Sequence, residues 1–359
     1  LDMGLAFFLE AALCAFVFAQ RAPEASREER RWMLLAWAAM ALAVLSKGLV
    51  GLVLPAGTLI AYCLLERTLK PLRRMHFAAG IVAFLVLAAP WFIAVSSANP
   101  EFARFFFIHE HFERFLTRDH GRYQPWWYFL PILAVGLVPW TTIALQALVQ
   151  GWREPPAQAF NTRRFLVLWS AAILLFFSAS GSKLPSYILP LFPALALLAG
   201  DWLAHERSRS LRWHLGSVVA VSMIAMVALQ RFTVPSDDSA SAAMTSQYAH
   251  WLLAGAALFS AGALAALWLN GTGRRFAALV ALGIAGHAGG QVVLLGHEAL
   301  GRSNSAHYIA GQLRPLLRPG VPFYSVGMYE QTLPFYLKRT VTLVEYGRSE
   351  EHTSELQSH

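Results

Sequence analysis

Two lysines stand in nearly mirrored settings. "LSKGLVG" places Lys47 beside Gly48, and "SGSKLPSYILP" places Lys183 two residues after Gly181 and four before Tyr187. Between them in sequence, "SSANPEFARFFFIHEHFERFLTRDHGRYQP" (Ser96–Pro125) crowds His109, Glu110, His111, Glu113 and Arg114 into one seven-residue stretch. Lysine and arginine side chains gathered at one place suit an anion, above all a phosphate oxygen. Small neighbours would let such a group approach the backbone. Each lysine, taken singly, could instead extend its ammonium to a membrane interface.

His109 and His111 could hold a divalent metal with Glu110 or Glu113. Their i,i+2 spacing suits a strand better than one helical face, and no spaced partner pair completes a closed zinc set. The plainer alternative is a pair of interfacial histidines that hydrogen-bond phosphate or neighbouring carboxylates. Asp2 opens the first apolar run. There it could cap a helix N-terminus or line an acceptor cleft.

These residues must be positioned by apolar elements. The chain has 359 residues, 56% hydrophobic and only 14% charged, with a mean hydropathy of +0.46. A soluble domain carries about 25% charge. Ten candidate membrane spans follow, at about 3–20, 32–46, 48–65, 77–95, 127–149, 165–179, 187–204, 213–230, 251–269 and 276–296. Cys14 and Cys63 lie inside apolar segments and imply no disulfide framework.

The net charge of +8 would suggest nucleic acid if it formed a patch. It is dispersed through short loops instead, so no nucleic-acid partner is expected. One set of alternate loops holds sixteen basic residues, among them Arg21, Arg74, Arg163 and Arg164; the other holds seven, including Lys47, Arg114 and Lys183. The basic-rich side is expected to be cytoplasmic, and topogenesis alone explains its charge. The seven on the disfavoured side need another reason, and an anionic lipid at that surface supplies one.

Within Ser96–Pro125, Pro100-Glu101 suits a helix start, and "FxxFFFIxxxFxxF" from Phe102 describes an aromatic helix lying in the interface plane. After the last span the pattern changes. "SNSAHYIAGQLRPLLRPG" reads as an amphipathic helix, "VPFYSVG" and "TVTLVEY" as strands, and "MYEQTLPFYLKR" between them as a helix or irregular segment. The expected organisation is a transmembrane domain over 1–298, the start of an outer α/β domain over 299–346, and a polar tail over 347–359. From Arg348, "RSEEHTSELQSH" resembles translated sequencing-adapter sequence and is set apart. No P-loop, Rossmann fingerprint, CxxC or HExxH pattern occurs.

In order along the chain, "LDMGLAFFLEAAL", "LSKG", "PEFARFFFIHEHFERF", "QPWWYFLP" and "FFSASGSKLPSYILPLFP" resemble the bacterial family 39 glycosyltransferases. That group includes the aminoarabinose transferase of lipid A and is related to protein O-mannosyltransferases. The resemblance implies an all-α polytopic membrane protein of GT-C type that carries the start of a small α/β outer domain. It implies transfer of a sugar from a polyprenyl-phosphate donor to a lipid or glycan acceptor. The enzyme would sit in the bacterial inner membrane, with membrane lipid around it and its active site on the periplasmic face. Lys47, Arg114 and Lys183 match positions expected to hold the carrier phosphate. Tyr187 matches a residue at the carrier or cavity mouth, to which Tyr123 is added. His111 matches the histidine of the family's "EH" pair, near a metal in some members. Asp2 matches the second acidic motif and is the tentative catalytic residue. The family's principal aspartate would lie upstream of Leu1, so this chain alone is expected to be inactive.

Two rival functions use the same features differently. A transporter or flippase of lipid-linked saccharides would carry charge near the bilayer midplane and broken helices in paired halves. A polymerase or ligase would use the same carrier without "KLPSYILP".

Overall fold

The structure is a computed structural model. It describes residues 2–104, 106, 124–153, 155, 159–205, 208–232, 240–301, 305–318, 320–327 and 329–344. The chain divides into two compact units, residues 1–206 and 207–359.

The first unit is built on α1 (Asp2–Arg21), α2 (Arg27–Lys47), α3 (Val50–Leu65) and α4 (Phe77–Ala98). It continues with α5 (Phe129–Gly136), α6 (Thr141–Arg153), α7 (Thr162–Ala179), a 3₁₀ segment at Pro185–Leu191, and α8 (Phe192–His205). Helix α1 buries Leu5, Leu9, Leu13 and Phe16, a helical stripe. Its acid lies in the first turn and its arginine in the last, the polarity a helix dipole favours.

Helix α2 starts at a local cap. The Ser26 hydroxyl accepts from the Glu29 N–H at 3.0 Å, and Glu29 Oε2 accepts from the Ala25 N–H at 2.8 Å. It ends at Gly48, whose φ of 88° reverses the chain into α3. Helices α2 and α3 then approach closely: a Cβ on Gly51 would lie 2.7 Å from the Ala43 carbonyl carbon. Below this turn Phe16, Tyr62, Phe160 and Phe165 form one aromatic cluster, with ring centroids 4.9–5.8 Å apart.

The second unit holds α9 (Ser208–Phe232), α10 (Ala240–Gly271) and α11 (Arg275–Gly296). Helices α10 and α11 meet across small residues; a Cβ on Gly262 would lie 2.2 Å from Ala285 Cβ. Beyond them come α12 (His307–Leu313), β1 (Tyr324–Val326), α13 (Leu333–Leu337) and β2 (Thr342–Val344). The strands pair in parallel with Tyr324 opposite Thr342, so α13 is the crossover of the expected β-α-β unit. Ala306, Ala310 and Leu333 form its small core.

Nine of the ten expected spans fall on single helical stretches, and the tenth on a bent pair of helices. Among the described residues, seven helical stretches are long and apolar enough to cross a membrane, and the protein is a multi-pass membrane protein. Two of the remaining three are exceptional for local reasons: α2 opens with five charged residues, and α3 has only 16 residues. The third expectation, one continuous span over 127–149, is corrected. Helices α5 and α6 are bent by 108° at the break that contains Pro139, which supplies no N–H to continue the helix.

Candidate functional site

Three distant pieces of chain end at one place: the first turn of α1, the last turn of α2 and the start of the 3₁₀ segment. Asp2 Oδ1 accepts from the Lys47 ammonium, and Asp2 Oδ2 accepts from the Ser186 hydroxyl. The Lys47–Asp2 ion pair is about three-quarters buried, with side chains 25% and 24% exposed. Lys47 Nζ also lies over the Tyr187 ring, 4.1 Å from its centroid. Tyr187 in turn packs on Phe177 at the end of α7, at 5.1 Å between centroids. One carboxylate therefore aims a lysine, and one tyrosine flanks it.

Lys183 precedes this cluster by three residues. It is only 4% exposed, and its ammonium donates to the Ser180 carbonyl at 2.6 Å. Burial pushes the Lys183 pKa below the ordinary lysine range. Ser182, next to it, is buried too, and its hydroxyl has no hydrogen-bond partner among the described residues.

The structure thus brings together Asp2, Lys47, Ser186 and Tyr187, with Lys183 three residues before Ser186 in the chain. Arg114, Tyr123, His109, Glu110 and His111 lie outside the described residues. Among the described residues no cluster of three histidine, cysteine or acidic side chains could hold a metal. Gly48 supplies the left-handed turn into α3. Ser186 is the residue that sequence reasoning missed. Its neighbours in "KLPSYILP" marked the segment, but a serine beside Asp2 across 184 positions leaves no local trace.

The opposite ends of these helices look different. Arg74 donates to the carbonyls of Gln20, Ala19 and Ala22 at 2.6–2.8 Å, closing the C-terminus of α1. Its guanidinium also meets Glu29 at 3.0 Å, and His76 meets the other Glu29 oxygen at 3.1 Å. Arg164 pairs with Glu66, and Arg163 with Asp201 at 2.6 Å. The expectation that topogenesis alone explains these arginines is corrected: Arg74, Arg163 and Arg164 also neutralise acids, and Arg74 closes a helix end.

Comparison with known proteins adds a second line of evidence. Residues 1–106 match the family model described as dolichyl-phosphate-mannose-protein mannosyltransferase. Residues 309–356 match the aminoarabinose transferase C-terminal domain, which extends into the tail set apart above. The crystal structure of ArnT from Cupriavidus metallidurans bound to undecaprenyl phosphate superposes on 97% of this chain and 63% of its own, with a TM-score of 0.85 and 36% identity. The chain belongs to the GT-C-type family 39 membrane glycosyltransferases, on the aminoarabinose-transferase-like branch.

Relatives of this branch include the undecaprenyl phosphate-alpha-4-amino-4-deoxy-L-arabinose arabinosyl transferase of Erwinia tasmaniensis. It is 31% identical over 303 residues, covering 80% of this chain and 53% of the relative. The corresponding transferase 1 of Pseudomonas fluorescens Pf-5 is 35% identical over 210 residues, covering 56% of this chain and 38% of the relative. The chain spans about half or less of the length of these curated relatives.

Proposed function

We propose that this family 39 chain forms part of an enzyme that transfers a sugar from undecaprenyl phosphate or a similar polyprenyl phosphate. The acceptor is lipid A or another cell-envelope glycan, on the periplasmic side of the inner membrane. The observation that carries the reading is the meeting of Lys47 with Asp2, Ser186 and Tyr187 at one end of the helix bundle, with the buried Lys183 three residues before Ser186 in the chain. The ArnT crystal structure bound to undecaprenyl phosphate, which the chain resembles over nearly its whole length, supplies the carrier.

The chemistry follows from charge. As the sugar–phosphate bond breaks, negative charge grows on the phosphate oxygens of the departing carrier. Fixed ammonium groups in a partly buried site stabilise that charge more in the transition state than in the ground state. Lys47 is held for this task by Asp2 and Tyr187, and Lys183 by the Ser180 carbonyl. Arg114 is proposed as a third phosphate ligand and Tyr123 as a wall of the carrier cavity. Both carboxylate oxygens of Asp2 are already engaged, so Asp2 serves as a positioning acid. That departs from its tentative catalytic role, because a carboxylate paired with an ammonium is a poor proton acceptor. His109, Glu110 and His111 remain the proposed site for a divalent metal.

The test is binding of labelled undecaprenyl phosphate to the purified chain. Lys47→Met and Lys183→Met, which keep most of the side-chain bulk, should each weaken it by about tenfold or more, the worth of a charged hydrogen bond. Wild-type affinity in both variants would refute the phosphate assignment.

A further inference from the structure

A cavity of about 330 Å³ opens at the far end of α1 from Asp2, between α1, α7 and α8. At 1.5 Å per helical residue, the cavity runs from Leu13, about 17 Å along α1 from Asp2, to Arg21 at about 28 Å. Its wall and its mouth differ in chemistry. Leu13, Val17 and Leu197 give it an apolar wall, and Arg21, Arg163 and Asp201 give it a charged mouth.

Two polar groups at this cavity have no protein partner. Asn161 is 5% exposed and lines it. Its Oδ1 accepts from the Arg164 N–H at 3.1 Å, capping α7, but its buried Nδ2 donates to nothing among the described residues. The Thr162 hydroxyl, the next lining group, is likewise buried without a partner. Orphaned buried donors of this kind are uncommon in proteins and call for a bound acceptor. The charge at the mouth favours an anion: Asp201 is taken up by Arg163 at 2.6 Å, while Arg21 makes no ion pair or hydrogen bond among the described residues.

We propose that this cavity binds one anionic phospholipid of the leaflet that the loop charges assign to the cytoplasm. The headgroup phosphate lies between Arg21 and the Asn161 and Thr162 donors, and the first part of an acyl chain lies along Leu13 and Val17. A free phosphoester would satisfy the mouth but leave the apolar wall unused, which is why a lipid is the occupant. Basic pockets between membrane helices on the cytoplasmic side suit anionic headgroups on general grounds.

Native mass spectrometry of the whole chain tests this. The protein is released from detergent micelles that contain equal amounts of phosphatidylglycerol and phosphatidylethanolamine with identical acyl chains. The expected result is preferential retention of one phosphatidylglycerol, by about fivefold for a single arginine facing an anionic lipid. Arg21→Gln, a change at an exposed side chain, should abolish the preference while undecaprenyl phosphate is still retained. Val17→Trp, which fills the cavity, should lower retention of both lipids. Equal retention of the two lipids by the wild type overturns the proposal, as does an unchanged preference in Arg21→Gln or undiminished lipid retention in Val17→Trp. Displacement of the lipid by soluble glycerol 3-phosphate at comparable concentration would also overturn it, by showing a site for free phosphoesters.

Discussion

The two ends of the first unit use similar residues to opposite effect. At the Arg74 end, three arginines meet three acids, and Arg74 also closes the last turn of α1. At the Asp2 end, Lys47 pairs with Asp2, and the Ser180 carbonyl accepts from Lys183. The first arrangement is self-sufficient and stabilises the fold. The second holds two lysines in largely buried positions, at the end where the carrier phosphate is proposed to bind.

This contrast can be broken by mutation, and the largest effect is expected at the Asp2 end. In the full-length enzyme, Lys47→Met or Lys183→Met should lower kcat by about 10²–10³, as for other fixed donors to a developing oxyanion. Thermal unfolding should stay near the wild type, and the two readouts together separate chemistry from folding.

The mirror experiment is Glu29→Ala at the other end. Glu29 is 3% exposed and holds both Arg74 and His76. Its loss should destabilise the fold by about 3 kcal/mol, seen as a lower midpoint of denaturation, because Arg74 keeps only its carbonyl partners. Carrier affinity per folded molecule should not change. A selective loss of affinity would erase the distinction between the two ends.

A smaller effect is expected at Gly51→Ala. The new methyl would press on the Ala43–Val44 backbone, at a cost of about 1–3 kcal/mol, and would tilt the turn that presents Lys47. Stability and carrier affinity should fall together in this variant, unlike in either of the preceding ones. Ser186→Ala should do least, about fivefold in affinity, since it removes one hydrogen bond from Asp2 while the ion pair to Lys47 persists.

A pH titration sharpens the role of Lys183. Burial holds its pKa down, so its proton is lost at lower pH than that of a surface lysine as pH rises. Carrier binding should therefore begin to decline below the ordinary lysine range. Lys183→Met should remove that inflection.

Much of this was legible in the sequence, for identifiable reasons. Long apolar runs report helices directly, and nine of the ten expected spans fall on single helical stretches. The strands around "LPFYL" were legible because β-branched and aromatic runs flank a helical stretch. Lys47 and Lys183 stood out because charge beside apolar runs is rare, and Tyr187 because "KLPSYILP" resembles a family motif. Pairings across the fold were not legible. Arg74 closing α1 spans more than 50 positions, and Asp2 meets Lys47 across 45. Hydrophobic periodicity records which face of a helix is buried, not which partner waits there. The bend between α5 and α6 was missed for a related reason: the apolar run continues through Pro139, and composition outweighed the missing N–H.

The most direct test of the central claim is the affinity of labelled undecaprenyl phosphate for the double variant Lys47→Met/Lys183→Met, measured beside Arg163→Met from the opposite end. The account predicts that the lysine double variant loses specific binding while the arginine variant keeps wild-type affinity. Equal affinity in all three proteins would contradict it.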